Sequence, residues 1–178
     1  MARSRLRRAR LAYELAHARA GLRGVAIALG LSVLAWGLHR TTDATWLVAS
    51  ALGVSLAIAG WRGGSVRRGA LAGVLAGLPP MLVPGVVALM SNGGHCTACA
   101  MAPSFGCMMT CFATSALVGV AVGHHASRDA APRRFAAAAA LAATLTGALG
   151  CGTTGLGGTL GIAVGLLAGG VTGWVTAS

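Results

Sequence analysis

Long apolar runs separated by short polar breaks dominate the hydropathy pattern of this chain. Runs of about 20 apolar residues match the length of helix that crosses the hydrocarbon core of a bilayer. The pattern therefore predicts an all-α fold, a polytopic membrane bundle of about six transmembrane helices. The predicted spans cover residues 24–38, 44–61, 69–90, 105–123, 135–150 and 157–175. Together they form one transmembrane domain over residues 24–178.

The first 23 residues carry a different pattern. Four apolar residues recur at helical spacing and form one face, which arginines surround. These residues are Leu11, Leu15, Ala18 and Leu22. Such a helix is typical of segments that lie on an anionic membrane surface. We therefore predict a basic amphipathic helix over residues 1–23, on the cytoplasmic side, that serves either as a topogenic tail or as a partner-binding helix.

The basic residues orient the predicted spans. All 14 are arginine, and with three acidic residues they give the chain a formal charge of +11. Thirteen fall in the N-terminal segment and in the breaks after spans two and four, whereas the other breaks hold only Arg40. Positive charge concentrates on the cytoplasmic side of membrane proteins, so we expect a bacterial inner-membrane protein with both termini in the cytoplasm. We interpret the positive charge as a sign of how the helices are oriented in the membrane, and we expect no nucleic-acid partner.

Glycines recur every fourth residue in the third and sixth predicted spans. Lipid provides no hydrophobic drive between helices, so small residues that allow close backbone approach are typical of helix contacts in membranes. We interpret these glycines as packing positions, which also permit a homo-oligomer. They are Gly69, Gly73, Gly77, Gly161, Gly165, Gly169 and Gly173.

Sulfur-bearing residues concentrate in one stretch, from Gly93 to Cys111. The predicted topology places this stretch at the outer face, leading into span four, and brings a fifth cysteine to the same face from the next hairpin. The candidate metal ligands are His95, Cys96, Cys99, Cys107, Cys111 and Cys151, with Met101 and Met108 as additional candidates.

Three interpretations of this thiol cluster are open. Cysteines exposed to an oxidising periplasm usually form disulfides, although five cysteines leave one thiol over. Thiolate, imidazole and thioether groups together favour a soft metal ion such as Cu(I) or Zn²⁺. A thiol near the start of a helix is also typical of a redox sensor. The cluster has His95 as its one titrating neighbour and no catalytic motif, so we do not expect an enzyme.

The C-terminal part of the chain resembles a known family. Over residues 130–173, a short basic loop is followed by a helix of small residues, an outer cysteine and a glycine-rich last helix. The residues that carry this pattern are Pro132, Arg133, Arg134, Cys151 and the glycines between 157 and 173. The pattern resembles the last hairpin of six-span bacterial membrane-bound anti-sigma regulators. The resemblance implies a six-helix membrane fold and a cytoplasmic, sigma-factor-like partner for the N-terminal segment.

The thiol cluster outside and the basic helix inside together favour a regulatory role. We expect an inner-membrane sensor whose Cys/His cluster binds a soft metal or changes its thiol state and signals to a cytoplasmic partner. One alternative is a permease for a soft metal ion such as copper, mercury or zinc. Another is a structural subunit of a membrane complex that is stapled by disulfides.

Overall fold

The computed structural model describes residues 2–38, 43–90, 105–150 and 155–177, and its regular structure is helical. The helices are α1 (Ala2–Leu38), α2 (Asp43–Arg62), α3 (Gly64–Met90), α4 (Phe105–Ser127), α5 (Pro132–Gly150) and α6 (Gly155–Ala177). No strand occurs in these ranges, which confirms the predicted all-α class. Gly63 and Gly64 have φ angles of 64° and 55°, a left-handed conformation that favours glycine and makes a tight turn between α2 and α3.

Four of these helices contain a segment that is long and apolar enough to cross a membrane. The segments are Glu14–Gly37, Thr45–Arg62, Gly64–Val83 and Gly158–Ala177. No more than 39% of each is buried inside the bundle, and large apolar side chains in these segments, such as Leu47, 73% exposed, point outward. A contiguous apolar surface of this kind is unfavourable in water and suits a lipid bilayer.

Helix α1 joins two segments that the sequence predicts separately. Residues 1–23 and 24–38 are not divided by a break: α1 is one helix of 37 residues, about 55 Å long at 1.5 Å per residue. This length exceeds the ~30 Å thickness of a hydrocarbon core. Ala20 of α1 contacts Gly60, two residues before the end of α2, so the first third of α1 extends beyond the end of α2.

The first two helices form an antiparallel hairpin that is held by glycine contacts. A Cβ placed on Gly24 of α1 would lie 2.9 Å from the carbonyl oxygen of Leu56 on α2. Gly60 of α2 makes the equivalent contact with Ala20 of α1, also at 2.9 Å. Helix backbones approach this closely only where one of them has no side chain, so these glycines set the register of the hairpin.

Helices α3 and α5 pack in parallel. Gly69 lies on the backbone of Phe135 near the start of both helices, and Gly150 lies on the backbone of Met81 further along both. The two other glycines of the α3 stripe also face α5. Because the contacts follow the same order along both helices, α3 and α5 run in the same direction.

Helices α4 and α6 also pack in parallel. Gly165 of α6 lies against Phe112 of α4, and Gly173 lies against Val120, two turns further along both helices. The α4–α6 and α3–α5 interfaces are the most extensive in the bundle. In this four-helix part of the chain, α3 therefore packs more closely on α5 than on α4, and α6 packs more closely on α4 than on α5.

These pairings sort the helix termini into two ends of the bundle. The starts of α3 and α5 lie together with the last turns of α2, α4 and α6, at what we call the arginine end. The exposed arginines of this end include Arg62, Arg67, Arg68, Arg128, Arg133 and Arg134. The last turns of α3 and α5 and the first turns of α4 and α6 lie at the opposite end. We call it the thiol end, because the predicted thiol ligands are close to these turns in the sequence.

Candidate thiol site and arginine end

Cys111 lies inside the four-helix unit formed by α3, α4, α5 and α6. Its side chain is 2% exposed and packs in a cluster with Ala76 of α3, Ala143 of α5 and Ile162 of α6. It is six residues from the first residue of α4, which corresponds to roughly 9 Å along the helix. A thiol among such neighbours packs as a small apolar group. Cys111 is therefore the candidate ligand that the structure places in the helix core.

Two buried hydroxyl groups lie in the same four-helix unit. Ser115 follows Cys111 by one turn of α4, and Thr146 lies on α5; both side chains are 0% exposed. Within the described part of the chain, neither hydroxyl oxygen has a hydrogen-bond partner. By contrast, Thr144 Oγ1 donates to the carbonyl oxygen of Ala140 at 2.8 Å. A buried, unsatisfied hydroxyl costs on the order of 1–3 kcal/mol, so Ser115 and Thr146 are costly polar positions in an otherwise apolar core.

Each of these two hydroxyl residues faces a glycine across a helix interface. A Cβ placed on Gly77 of α3 would lie 2.6 Å from the Cβ of Thr146. A Cβ placed on Gly165 of α6 would lie 2.9 Å from the Cβ of Ser115. The two parallel interfaces therefore share one arrangement, in which a hydroxyl residue packs directly on a glycine.

The other candidate ligands are not described at the level of side chains. Cys107 and Met108 lie in the first turns of α4, on the thiol-end side of Cys111, and their side chains fall outside the description. Wholly outside the described residues lie His95, Cys96, Cys99, Met101 and Cys151. Among the side chains that are described, no group of three His, Cys, Asp or Glu could hold a metal ion. The metal site thus stays a prediction.

One carboxylate joins two turns at the arginine end. Asp129, in the turn between α4 and α5, accepts hydrogen bonds from the backbone N–H of Ala131 at 3.0 Å and from the side chain of Ser65 on α3. Its Oδ2 lies 3.5 Å from a guanidinium nitrogen of Arg68, and its side chain is 5% exposed against 65% for Arg68. We call Asp129, Ser65 and Arg68 the aspartate clasp, which ties the α4–α5 turn to the start of α3.

The clasp lowers the pKa of Asp129. The hydrogen bond from the Ser65 side chain has the largest effect, the Ala131 N–H adds to it, burial opposes it, and the Arg68 guanidinium lowers the pKa slightly further. Hydrogen bonds to a carboxylate favour its charged form, so Asp129 is ionised at neutral pH. The ion pair itself contributes little, because Arg68 is mostly exposed and solvent screens it.

Two adjacent histidines lie near the last turn of α4. The rings of His124 and His125 meet edge to face, with centroids 6.3 Å apart. They lie at the arginine end, roughly 20 Å along α4 from Cys111 at 1.5 Å per residue. These histidines therefore belong to a different part of the molecule from the buried thiol.

Ser115 and the aspartate clasp are features that were not predicted from the sequence. Ser115 continues the four-residue spacing of Cys107 and Cys111, and this spacing is the signal that the three residues share one face of α4. Asp129 is the only acidic residue after Asp43. An aspartate in a short polar break is a common turn residue, because its side chain accepts a hydrogen bond from a backbone N–H two residues further on.

The helical fold and the exposed apolar surface define the class of this protein as a membrane helix bundle with a buried cysteine and a basic end. No family model, curated protein or solved structure matches the chain. The resemblance of residues 130–173 to anti-sigma regulators therefore remains an expectation, and the statements on function that follow are proposals.

Proposed function

We propose that this protein is a six-span inner-membrane sensor with both termini in the cytoplasm. Its Cys/His cluster at the outer face binds a soft metal ion, Cu(I) or Zn²⁺, or changes its thiol state. The observation that supports this proposal best is the parallel packing of α3 with α5 and of α4 with α6. This packing brings the last turns of α3 and α5 and the first turns of α4 and α6 to one end of the bundle, and Cys111 lies in the core near that end.

The distribution of arginine supports the proposed orientation. The exposed arginines of the arginine end lie opposite the thiol end, and positive charge concentrates on the cytoplasmic side of membrane proteins. In this orientation the thiol end faces an oxidising compartment, where exposed cysteines change state most readily. The projecting first third of α1 then lies in the cytoplasm, where it binds a regulatory partner of the sigma-factor type.

Helix α4 provides the physical connection in this proposal. It carries Cys111 near the thiol end and runs to His124 near the arginine end. Its glycines Gly119 and Gly123 lie directly on the backbone of α6, so a displacement of one helix displaces the other. Close-packed interfaces transmit strain because they have few voids to absorb it, and a ligand held at the thiol end therefore changes the register of this pair.

Metal content and thiol state test the proposal together. The full chain is purified anaerobically, its metal content and reactive thiols are counted, and Cu(I) or Zn²⁺ is titrated while tryptophan fluorescence is followed. We expect a saturable response that replacement of all five cysteines by serine abolishes. Met109→Leu, which removes an exposed sulfur from the same helix, is the matched control and keeps the response. An unchanged response in the cysteine-free variant would refute the proposal, and paired thiols without metal would favour the disulfide-stapled subunit.

A second candidate function is a permease for a soft metal ion. The buried Ser115 and Thr146 hydroxyls favour it, because together with Cys111 they place polar and thiol groups inside the bundle rather than only at its end. Uptake of Cu(I), Hg²⁺ or Zn²⁺ into proteoliposomes separates the two functions. A permease accumulates metal and loses uptake on Cys111→Ala, whereas a sensor gives the same signal as empty liposomes.

A further inference from the structure

The hydroxyl of Ser115 cannot use the backbone acceptor that a serine inside a helix often takes. That acceptor is the carbonyl oxygen four residues earlier, as in the bond from Ser32 to Ala28 at 2.7 Å. For Ser115 it is the oxygen of Cys111, which already accepts from Thr114 Oγ1 at 3.2 Å and from the helical N–H of Ser115 itself. A carbonyl oxygen has two lone pairs, so this acceptor is full. Ser115 Oγ accordingly has no partner in the described part of the structure.

Ser115 lies beside the buried thiol of Cys111. The two residues are four apart in α4, so they share one face of the helix, and Cβ atoms at this spacing are about 5–6 Å apart. Their side chains are 0% and 2% exposed. Cys111 belongs to the same buried cluster as Ile162 of α6, and the Cβ of Ser115 meets Gly165 three residues further on. A thiol and an unpartnered hydroxyl therefore occupy neighbouring positions beside one stretch of α6.

One metal ion can join two donors at this spacing. Bonds from a metal to sulfur and oxygen ligands are roughly 2.0–2.3 Å long, so one ion joins donors up to about 4.5 Å apart. Two side chains on one helix face, four residues apart, reach this separation by rotation about χ1. The hydroxyl oxygen of Ser115 offers its lone pairs as the second ligand.

The apolar surroundings favour an ion of single charge. The buried neighbours of Cys111 in the cluster are Ala76, Ala143, Ile162 and Leu166, and none of these side chains can balance a charge. A thiolate with a monovalent cation is neutral, whereas a divalent cation leaves a net charge that is costly to bury. Zn²⁺ also requires four ligands in a closed site, while thiolate ligands favour Cu(I).

We propose that Cys111 and Ser115 form an inner site for a single Cu(I) ion in the helix core. The thiol releases its proton to solvent when the bond from sulfur to copper forms, and the Ser115 hydroxyl supplies the second ligand. The inference rests on the proposed binding of soft metal by the thiols of this protein. It adds Ser115 as a ligand, and it separates the Cys111 site from the outer cluster.

Competition with a chromophoric Cu(I) chelator measures this site in the full chain under anaerobic conditions. In a variant that keeps Cys111, with the other four cysteines replaced by alanine, we expect one Cu(I) to bind per chain and excess Zn²⁺ not to displace it. Residues that only support a metal ligand change metal affinity by about 10–100-fold, so Ser115→Ala in this background should bind Cu(I) at least about 10-fold more weakly. Ser115→Cys, which supplies a thiolate at the same position, should bind Cu(I) more tightly.

A matched control separates the loss of a ligand from the loss of any hydroxyl. Thr144→Val removes a hydroxyl that is already bonded to the carbonyl oxygen of Ala140, and it should leave the Cu(I) affinity unchanged. Ser115→Ala replaces an unsatisfied hydroxyl by an apolar group, so it should fold as well as its parent, which circular dichroism checks. The proposal is overturned if the chain that keeps Cys111 binds no more Cu(I) than a cysteine-free chain, or if Ser115→Ala binds it equally well.

The variant Cys111→Ala, which keeps the other four cysteines, distinguishes a failure of the inner site from a failure of the proposed sensor. A saturable metal response in this variant, without Cu(I) binding by the chain that keeps only Cys111, overturns the inner site and leaves the outer cluster. Binding by the chain that keeps only Cys111, without a response in Cys111→Ala, supports the inner site and refutes the outer cluster as a metal site.

Discussion

The interface between α4 and α6 gives the sharpest test of how this bundle is held together. A Cβ placed on Gly165 would lie 2.6 Å from the carbonyl oxygen of Phe112, 2.9 Å from the Cβ of Ser115 and 3.2 Å from the backbone nitrogen of Ala116. Ordinary van der Waals contact begins at about 3.4 Å. The substitution Gly165→Ala therefore requires α6 to move away from α4 by about 0.8 Å, the difference between these distances. Two of the three opposing atoms belong to the backbone, so no change of rotamer can relieve them.

Gly170, five residues further along α6, provides a matched control. A Cβ placed on Gly170 meets only the carbonyl oxygen of Gly119, at 3.9 Å. Both substitutions gain the same intrinsic helix propensity, about 0.5–1 kcal/mol in favour of alanine. Overpacking of a close-packed interface costs about 1–3 kcal/mol. Gly170→Ala should therefore be neutral or stabilising, and Gly165→Ala should be less stable than Gly170→Ala by on the order of 2 kcal/mol.

Unfolding in mixed micelles measures this difference directly. The protein is titrated with sodium dodecyl sulfate in a mild detergent, and the loss of native packing is followed by tryptophan fluorescence, with helix content followed by circular dichroism. The larger Gly165→Val should lower the midpoint further, because its side chain cannot be accommodated by a shift of less than 1 Å. If Gly165→Ala and Gly170→Ala unfold at the same midpoint, the close parallel contact of α4 and α6 is wrong.

Three further predictions concern the core and the arginine end. Thr146→Val removes a buried, unsatisfied hydroxyl and should leave the free energy of unfolding unchanged or raised, whereas Thr144→Val loses a hydrogen bond and should lower it by about 0.5–1.5 kcal/mol; the same micelle titration compares the two, and an equal loss in both would show that Thr146 is paired. Because the pKa of Asp129 is lowered, its carboxylate stabilises the fold above its ordinary pKa of about 3.9, and this contribution is lost as the pH falls through the lowered value. The stability difference between the wild type and Asp129→Asn should therefore be present at neutral pH and vanish in acid, and thermal unfolding that shows a constant difference at every pH contradicts the clasp. In a variant that keeps only Cys111, maleimide should label the thiol in dodecyl sulfate but not in mild detergent, since the side chain is 2% exposed; rapid labelling of the native protein would place Cys111 outside the core.

The helices themselves could be predicted closely from the sequence. The predicted span 44–61 corresponds to Asp43–Arg62, and the predicted span 157–175 corresponds to Gly155–Ala177. Arginine and glycine lie at several of these boundaries, because they end apolar runs and favour turns. The count of six membrane crossings and their orientation stay predictions, because they depend on a bilayer rather than on the helices alone.

The pairing of the helices could not be predicted in the same way. A glycine stripe identifies the face of a helix that approaches a neighbour, but it does not identify the neighbour. The stripe on α3 meets Phe135 and Ala139, and the stripe on α6 meets Ala116 and Val120, none of which is a glycine. The buried hydroxyls could not be predicted for the same reason. Thr146 is buried because α3 packs on α5 through Gly77, and the sequence does not show that α3 and α5 are partners.

The parallel pairing has a consequence for any signal that passes through this molecule. Cys111 and the aspartate clasp lie at different depths of one four-helix unit, and both of its close interfaces are built from backbone rather than from long side chains. Gly165 and Gly169 have no side chain that could take up a displacement of α4. We therefore expect a displacement of α4 near Cys111 to displace α6 as well. The aspartate clasp joins the α4–α5 turn to the start of α3, so it couples the far end of α4 to the other parallel pair. If the thiol end senses a ligand, Asp129→Asn should weaken the response at the arginine end without changing metal affinity at the thiol end.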